Sequence, residues 1–141
     1  MINPFFKNKG PFKVEELLKL ACVHNVKNFT KSKILDIKDL VTASQNDVTF
    51  FHSKKYEIIA SKTKASFCIT TKKLSHILPD SCNKIIVDNV LIITAKITKI
   101  FYPDSITDDF DSAAKSINKT PFNKKVKFGS NVLIGKNVKI G

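Results

Sequence analysis

The stretch FNKKVKFGSNVLIGKNVKIG, from Phe122 to Gly141, decides the fold predicted for the carboxyl-terminal part of this 141-residue chain. Apolar residues and glycines recur in it every six positions: Phe122, Phe128, Ile134 and Ile140; Gly129, Gly135 and Gly141; and Val126, Val132 and Val138. Such hexads form the flat faces of a triangular left-handed parallel β-helix, in which the apolar residue points inward and glycine relieves crowding at the turns. The sequence therefore predicts the first coils of a β-helix over 117–141, and two short strands with glycine turns are the alternative.

Length and charge limit what the rest of the chain can be. The residues before the repeat suffice for one domain of about 110 residues with its own core. The formal net charge is +12, yet all 24 basic residues are lysine. Proteins that read bases or clamp phosphates depend on the arginine fork, so this charge indicates a solvated lysine surface and no nucleic-acid partner.

Cysteine usage and hydropathy indicate a cytoplasmic protein. Cys22, Cys68 and Cys82 are widely spaced and form no CxxC pair, which is typical of reduced thiols. The longest uninterrupted apolar run has four residues, as at 90–93, so we expect neither a signal peptide nor a transmembrane segment.

The histidines are placed like surface or loop residues. His24, His52 and His76 have no carboxylate or cysteine at a metal-ligand or catalytic spacing. The sequence therefore predicts no metal site and no cofactor.

Strand and helix patterns alternate before the repeat. They predict helices over 14–22, 53–63 and 90–102, strands over 34–41, 48–51, 65–70 and 84–87, a turn over 44–47, and helix caps at Ser53 and at 88–89. Pro103 ends the last helix, and an acidic, small-residue segment follows it. We therefore expect an α/β domain over 1–103 and a linker over 104–116, followed by the β-helix coils.

Four blocks, in their order along the chain, carry a family resemblance. They are Phe50-Phe51-His52-Ser53-Lys54-Lys55-Tyr56, Thr63-Lys64-Ala65, Val87-Asp88-Asn89 and Phe101-Tyr102-Pro103. Followed by hexapeptide repeats, they resemble the amino-terminal part of the UDP-3-O-acylglucosamine N-acyltransferases of lipid A biosynthesis. The resemblance implies a nucleotide-binding α/β domain similar to the uridine-binding domains of Mur ligases, and a β-helix that forms a homotrimer.

The resemblance also implies a binding site. Phe50 and Tyr56 would clamp the uracil, and Ser53, where the family usually has asparagine, would read the base edge with a shorter reach. Lys54, Lys55 and Lys64 would approach the diphosphate as point charges. Core positions for the two rings and a solvated lysine face are the alternatives that the residues leave open.

The implied activity belongs to a longer protein. The family transfers an R-3-hydroxyacyl chain from acyl carrier protein to the 2-amine of UDP-3-O-acyl-glucosamine, in the cytoplasm of Gram-negative bacteria, where the enzyme can be peripheral to the inner membrane. Its general-base histidine would lie beyond Gly141, so we expect no catalytic residue in this chain, which would supply the UDP-binding part. A non-catalytic uridine-nucleotide or interaction module, and a different hexapeptide acyltransferase such as a sugar O-acetylating enzyme, are the alternatives.

Overall fold

A computed structural model describes residues 6–23, 32–105, 114–124, 127–130, 132–135 and 138. The chain divides into two compact units, Met1–Ile106 and Thr107–Gly141. The first unit alternates strands and helices, and its elements are β1 Phe12–Lys13, α1 Val14–Leu20, β2 Lys33–Ile34, β3 Asp36–Ile37, β4 Asp47–Phe51, α2 Glu57–Ala60, β5 Phe67–Thr70, β6 Asn83–Ile86 and α3 Val90–Phe101. Short 3₁₀ turns lie at Lys54–Tyr56, Ser75–Ile77 and Pro103–Ser105.

A four-stranded parallel sheet organises this unit. Its strands lie in the order β3-β4-β5-β6, which is their order along the chain. Val48 is opposite Phe67, and Phe67 is opposite Asn83, so the carboxyl ends of β4, β5 and β6 meet at one edge. A separate antiparallel pair joins β1 to β2. The parallel sheet confirms the predicted α/β class.

Both faces of the sheet are covered by apolar residues. On one face, α1 and α3 pack in a first core of buried residues that includes Leu17, Val48, Ile69, Ile97 and Phe101. The other face carries a smaller second core, whose buried members are Phe51, Ala60, Cys68, Leu78 and Cys82. A strand covered on both sides has no exposed residues, and all four residues of β5 are buried.

The two longest helices form where the sequence predicts them. The apolar face of α1 is fully buried, and Glu15 and Glu16 lie in its first turn, where acids favour the helix dipole. Helix α3 begins after Asn89, whose side chain accepts a hydrogen bond from the backbone N–H of Ile92 at 3.1 Å. Helical spacing of the apolar residues therefore outweighs the β-branched composition of 90–102.

The turn predicted over 44–47 ends one residue early. Asp47 is the first residue of β4 and is 2% exposed. Its Oδ2 accepts hydrogen bonds from the backbone N–H and the hydroxyl of Ser44 at 2.9 and 2.8 Å, and from Lys38 Nζ at 2.9 Å. These partners satisfy a carboxylate that burial alone would disfavour, so an aspartate begins a buried strand.

A polar network ties the amino-terminal segment to the end of α3. The Tyr102 hydroxyl donates to Asp36 Oδ1 at 2.6 Å, and Asn8 Nδ2 donates to the Tyr102 hydroxyl at 3.4 Å. Burial and the Asp36 carboxylate raise the pKa of Tyr102 to about 12. Beside this network, a Cβ added at Gly10 would lie 2.7 Å from the Phe101 ring and 2.9 Å from the Leu35 carbonyl oxygen.

The second unit contains short elements. Strands β7 Lys115–Ser116 and β8 Leu133–Ile134 pair antiparallel, and 3₁₀ turns lie at Ile117–Lys119 and Pro121–Lys124. A coil of a parallel β-helix would instead pair with the next coil in parallel. Of the predicted inward positions, Phe122 and Ile134 are half-buried and Phe128 is exposed, while Ile140 lies outside the described residues.

Crowding does not require a glycine at position 129 of the repeat. A Cβ added at Gly129 would meet no atom within 4 Å. The start of a β-helix therefore stays a prediction.

Candidate functional site

The candidate site lies where β4 ends and the following turn begins. Phe50 is half-buried at the end of β4, and His52 follows the strand. Ser53 caps the 3₁₀ turn Lys54–Tyr56, and α2 continues directly from it. The turn brings Tyr56 back towards the end of the strand. This is the carboxyl edge of the parallel sheet, where open α/β sheets bind their ligands.

Three aromatic side chains cluster at this edge. The ring centroids of Phe50 and His52 are 6.3 Å apart with an angle of 27° between the planes. The His52 and Tyr56 centroids are 5.9 Å apart at 46°. These separations are typical of offset and edge contacts, so the imidazole flanks both other rings.

The cluster lines a groove of about 290 Å³, which we call the aromatic groove. Its walls are mainly apolar, and its lining residues are Asp39, Leu40, Val41, Phe50, His52, Tyr56 and Ile59. Tyr56 is 40% exposed, so much of its ring is accessible. Flat aromatic walls with a few polar groups suit a planar ligand such as a nucleobase.

Asp39 is the acidic residue of the aromatic groove. Its Oδ1 accepts from the backbone N–H groups of Val41 and Thr42 at 2.8 and 2.9 Å, and its Oδ2 accepts from the Thr42 hydroxyl at 2.8 Å. These hydrogen bonds from Thr42 lower the pKa of Asp39. Its carboxylate is therefore ionised at neutral pH and already engaged in holding the loop.

The other proposed site residues are only partly brought together. The Ser53 hydroxyl accepts the backbone N–H of Lys55 at 3.4 Å, and Ser53 does not line the aromatic groove. Lys54 and Lys55 are exposed on the same turn. Lys64 precedes β5, at the amino end of a strand parallel to β4, so the structure does not bring it to the edge that carries Tyr56.

A second groove of about 310 Å³ also reaches Phe50. It is lined by Phe6, Ile37, Lys38, Asp39, Phe50, Thr98, Tyr102 and Ser105. Phe50 and Asp39 line both grooves. No sequence motif predicts this groove, because Phe6, Thr98 and Ser105 do not belong to one local pattern.

His52 is the residue of the site that sequence reasoning missed. Like His76, it is exposed, as expected of a surface histidine, but it also lines the aromatic groove, whereas His24 lies outside the described residues. Its position two residues after Phe50 and four before Tyr56 was the available signal.

Within the described parts of the chain, no three His, Cys, Asp or Glu residues are grouped as metal ligands, and no helix is long and apolar enough to cross a bilayer.

The first unit is a parallel α/β unit with an aromatic groove at the carboxyl edge of its sheet, and comparison with known proteins agrees with the family resemblance. Residues 32–100 match the family model of UDP-3-O-(3-hydroxymyristoyl) glucosamine N-acyltransferase, LpxD. A UDP-3-O-acylglucosamine N-acyltransferase 2 of Legionella pneumophila (strain Paris) is 30% identical over 118 residues, covering 82% of this chain and 34% of the relative. Similarly named proteins of Rickettsia prowazekii and Vesicomyosocius okutanii are 30% and 29% identical, over 70% and 77% of this chain and 29% and 30% of their own lengths.

These matches place the chain in the UDP-3-O-acylglucosamine N-acyltransferase family. The chain spans about a third of the length of the curated relatives that it matches. The matches cover the α/β unit, which argues against a sugar O-acetylating enzyme with an unrelated amino-terminal domain.

Proposed function

We propose that the α/β unit holds the UDP portion of a UDP-3-O-acyl-glucosamine in the aromatic groove. The observation that carries this proposal is the aromatic cluster of Phe50, His52 and Tyr56 at the carboxyl edge of the sheet. A uracil has a flat π-face, and each stacked base contributes about 1–3 kcal/mol by analogy with nucleic-acid sites. Lys54 and Lys55, exposed on the adjoining turn, supply positive charge for the diphosphate.

The finer assignments of the fold belong to this proposal. The unit would share the architecture of Mur ligase uridine-binding domains, and residues 117–141 would begin the left-handed β-helix. Family membership supports both assignments. Residues 1–103 would then be the nucleotide-binding domain and 104–116 the linker, with the β-helix faces forming a homotrimer.

The activity follows from family membership and concerns the complete protein. The glucosamine 2-amine would attack the thioester of an R-3-hydroxyacyl chain on acyl carrier protein, forming the amide and releasing the carrier thiol. A general base takes the proton from the amine and contributes about 10²–10⁴-fold to the rate. His52 and His76 belong to the α/β unit, so we propose that this chain binds the nucleotide without transferring an acyl group.

Titration of the chain with UDP tests the proposed binding. The expected dissociation constant is roughly 0.1–10 mM, because only a base and a diphosphate are held. NMR chemical shifts of the backbone amides at the end of β4 and in the following turn report the binding. Absence of a saturable change at several millimolar UDP would exclude this function, and ADP serves as the matched ligand with a different base.

A further inference from the structure

The aromatic groove needs a polar group for the edge of the base. A nucleobase exposes hydrogen-bond donors and acceptors in the plane of its ring, and a stacked ring does not reach them. A groove with stacking rings alone would hold any planar molecule of the right size. Selection of a particular base therefore requires a side chain or backbone group beside the stack.

Most polar side chains at the groove are already engaged or badly oriented. Both carboxylate oxygens of Asp39 accept hydrogen bonds within its own loop. The Ser53 hydroxyl caps the turn and does not line the groove. The hydroxyl of Tyr56 lies in the plane of its ring, so it lies outside the plane of any base that stacks on that ring.

His52 meets the requirement. The imidazole is exposed, it lines the groove, and it flanks both stacking rings at offset distances. In the part of the chain that the structure describes, neither of its ring nitrogens makes a hydrogen bond or an ion pair. A neutral imidazole carries one donor and one acceptor, which match the carbonyl oxygens and the N3–H of a uracil.

We propose that His52 hydrogen-bonds the edge of the nucleobase, so that the imidazole, rather than the Ser53 hydroxyl, selects the base in this protein. The inference rests on the proposed function, since it assumes that a uridine nucleotide occupies the aromatic groove. It assigns to His52 a binding role that is separate from the stacking role of Phe50 and Tyr56.

Two variants separate hydrogen bonding from stacking. His52→Phe keeps an aromatic ring and removes both nitrogens, and we expect UDP binding to weaken about 2- to 12-fold, the loss of one hydrogen bond. His52→Asn restores a donor and an acceptor, and we expect it to bind UDP more tightly than His52→Phe. His76→Phe, the same change at an exposed histidine on a different turn, is the control and leaves the UDP affinity unchanged.

Binding of inorganic pyrophosphate, which has no base, shows whether the His52 imidazole contacts the base edge or the diphosphate of UDP. Its affinity remains the same in the wild-type chain and in His52→Phe if the imidazole contacts the base. An equal loss for UDP and pyrophosphate would overturn the inference by assigning the imidazole to the phosphates. Unchanged UDP affinity in His52→Phe would overturn it too.

The experiment also separates this inference from the proposed function. If UDP binds the wild-type chain and binding falls in Phe50→Ala but not in His52→Phe, the groove is the nucleotide site and only the role of His52 is wrong. If the wild-type chain shows no saturable UDP binding, the proposed function and the inference both fail. Thermal melts of each variant confirm that the comparison is made on folded protein.

Discussion

Phe50 and Phe51 are neighbours on β4 and lie on opposite faces of the parallel sheet. Phe51 is 0% exposed and belongs to the second core, while Phe50 is half-buried and lines the aromatic groove. The alternation of side chains along a strand thus places two adjacent phenylalanines in different surroundings. Phe51 is enclosed in the second core, whereas Phe50 packs at the margin of the first core and is partly accessible from the groove.

We expect truncation of these two rings to have opposite consequences. Phe51→Ala costs about 3–5 kcal/mol of unfolding free energy, because it leaves a cavity in a closed core. Phe50→Ala destabilises less and weakens UDP binding by about 1–3 kcal/mol, the contribution of one stacked ring. Urea unfolding and UDP titration on both variants check this. A larger stability loss in Phe50→Ala, with normal UDP binding, would assign Phe50 to the core.

Thr49→Val is expected to stabilise the protein or leave it unchanged. Thr49 is fully buried on β4, and its hydroxyl has no hydrogen-bond partner among the described residues. Burying an unpaired hydroxyl costs about 1–3 kcal/mol, and valine has nearly the same shape. Chemical denaturation measures the change, with Thr70→Val as control because the Thr70 hydroxyl donates to the Phe51 carbonyl at 2.9 Å. Equal destabilisation of both variants would show that the Thr49 hydroxyl has a partner.

Gly10→Ala is expected to destabilise the first unit by about 1–3 kcal/mol, the cost of overpacking a closed site. The added methyl group would lie 2.9 Å from the Leu35 carbonyl oxygen, a backbone atom that cannot move independently of the sheet. Gly129→Ala is the matched control, since nothing lies within 4 Å of the added atom. Thermal melts compare the two, and equal melting temperatures would contradict the close packing at Gly10.

Tyr102 is expected to make stability fall at high pH. Its pKa is about 12 in the folded protein, above the value of about 10 for an unfolded tyrosine. Between these two pKa values, the tyrosine hydroxyl is ionised in the unfolded chain but still protonated in the folded protein. The contribution of Tyr102 to the unfolding free energy is therefore fully present below about pH 10 and is lost as the pH rises through 12.

Tyr102→Phe removes this particular loss of stability, because phenylalanine has no hydroxyl to ionise. Unfolding free energies measured by urea denaturation between pH 8 and pH 11.5 show the difference. Parallel curves for wild type and Tyr102→Phe would contradict the contact with Asp36.

One of the three thiols is expected to react rapidly in the native chain. Cys22 is exposed, whereas Cys68 and Cys82 are buried in the second core. The hydrogen bond that the Cys68 thiol donates to Cys82, together with burial, also raises the pKa of Cys68, which further slows its reaction. Titration with a thiol-reactive chromophore counts one fast group in native protein and three in denaturant. Cys22→Ser removes the fast phase, and two fast groups would contradict the burial.

Much of the fold was predictable because apolar spacing is a local signal. The faces of α1 and α3, the cap at Asn89 and the strand β5 follow from patterns of a few residues. The polar network of Asn8, Asp36 and Tyr102 was not predictable, because it joins residues 66 and 94 positions apart. The buried start of β4 was missed for a related reason, since Asp47 resembles a turn residue until its partners are known.

The structure brings together the two rings of the predicted site but not all of its polar groups. Phe50 and Tyr56 were singled out by the resemblance, and the structure places both along one groove. The hydroxyl of Ser53 is used by the turn, and the position of Lys64 depends on strand direction, which no short motif encodes. The hexads specify an inward face, but the antiparallel pairing of β7 with β8 depends on which strands are adjacent.

The sequential order of the parallel sheet has a consequence for how the chain folds. Each strand from β4 to β6 pairs with the one synthesised just before it, so no strand has to be inserted between two others. The sheet grows from one edge as the chain lengthens, and each step closes a loop of only about ten to twenty residues, which keeps the entropic cost low. The first unit is therefore suited to folding on the ribosome strand by strand, with α3 closing the first core last.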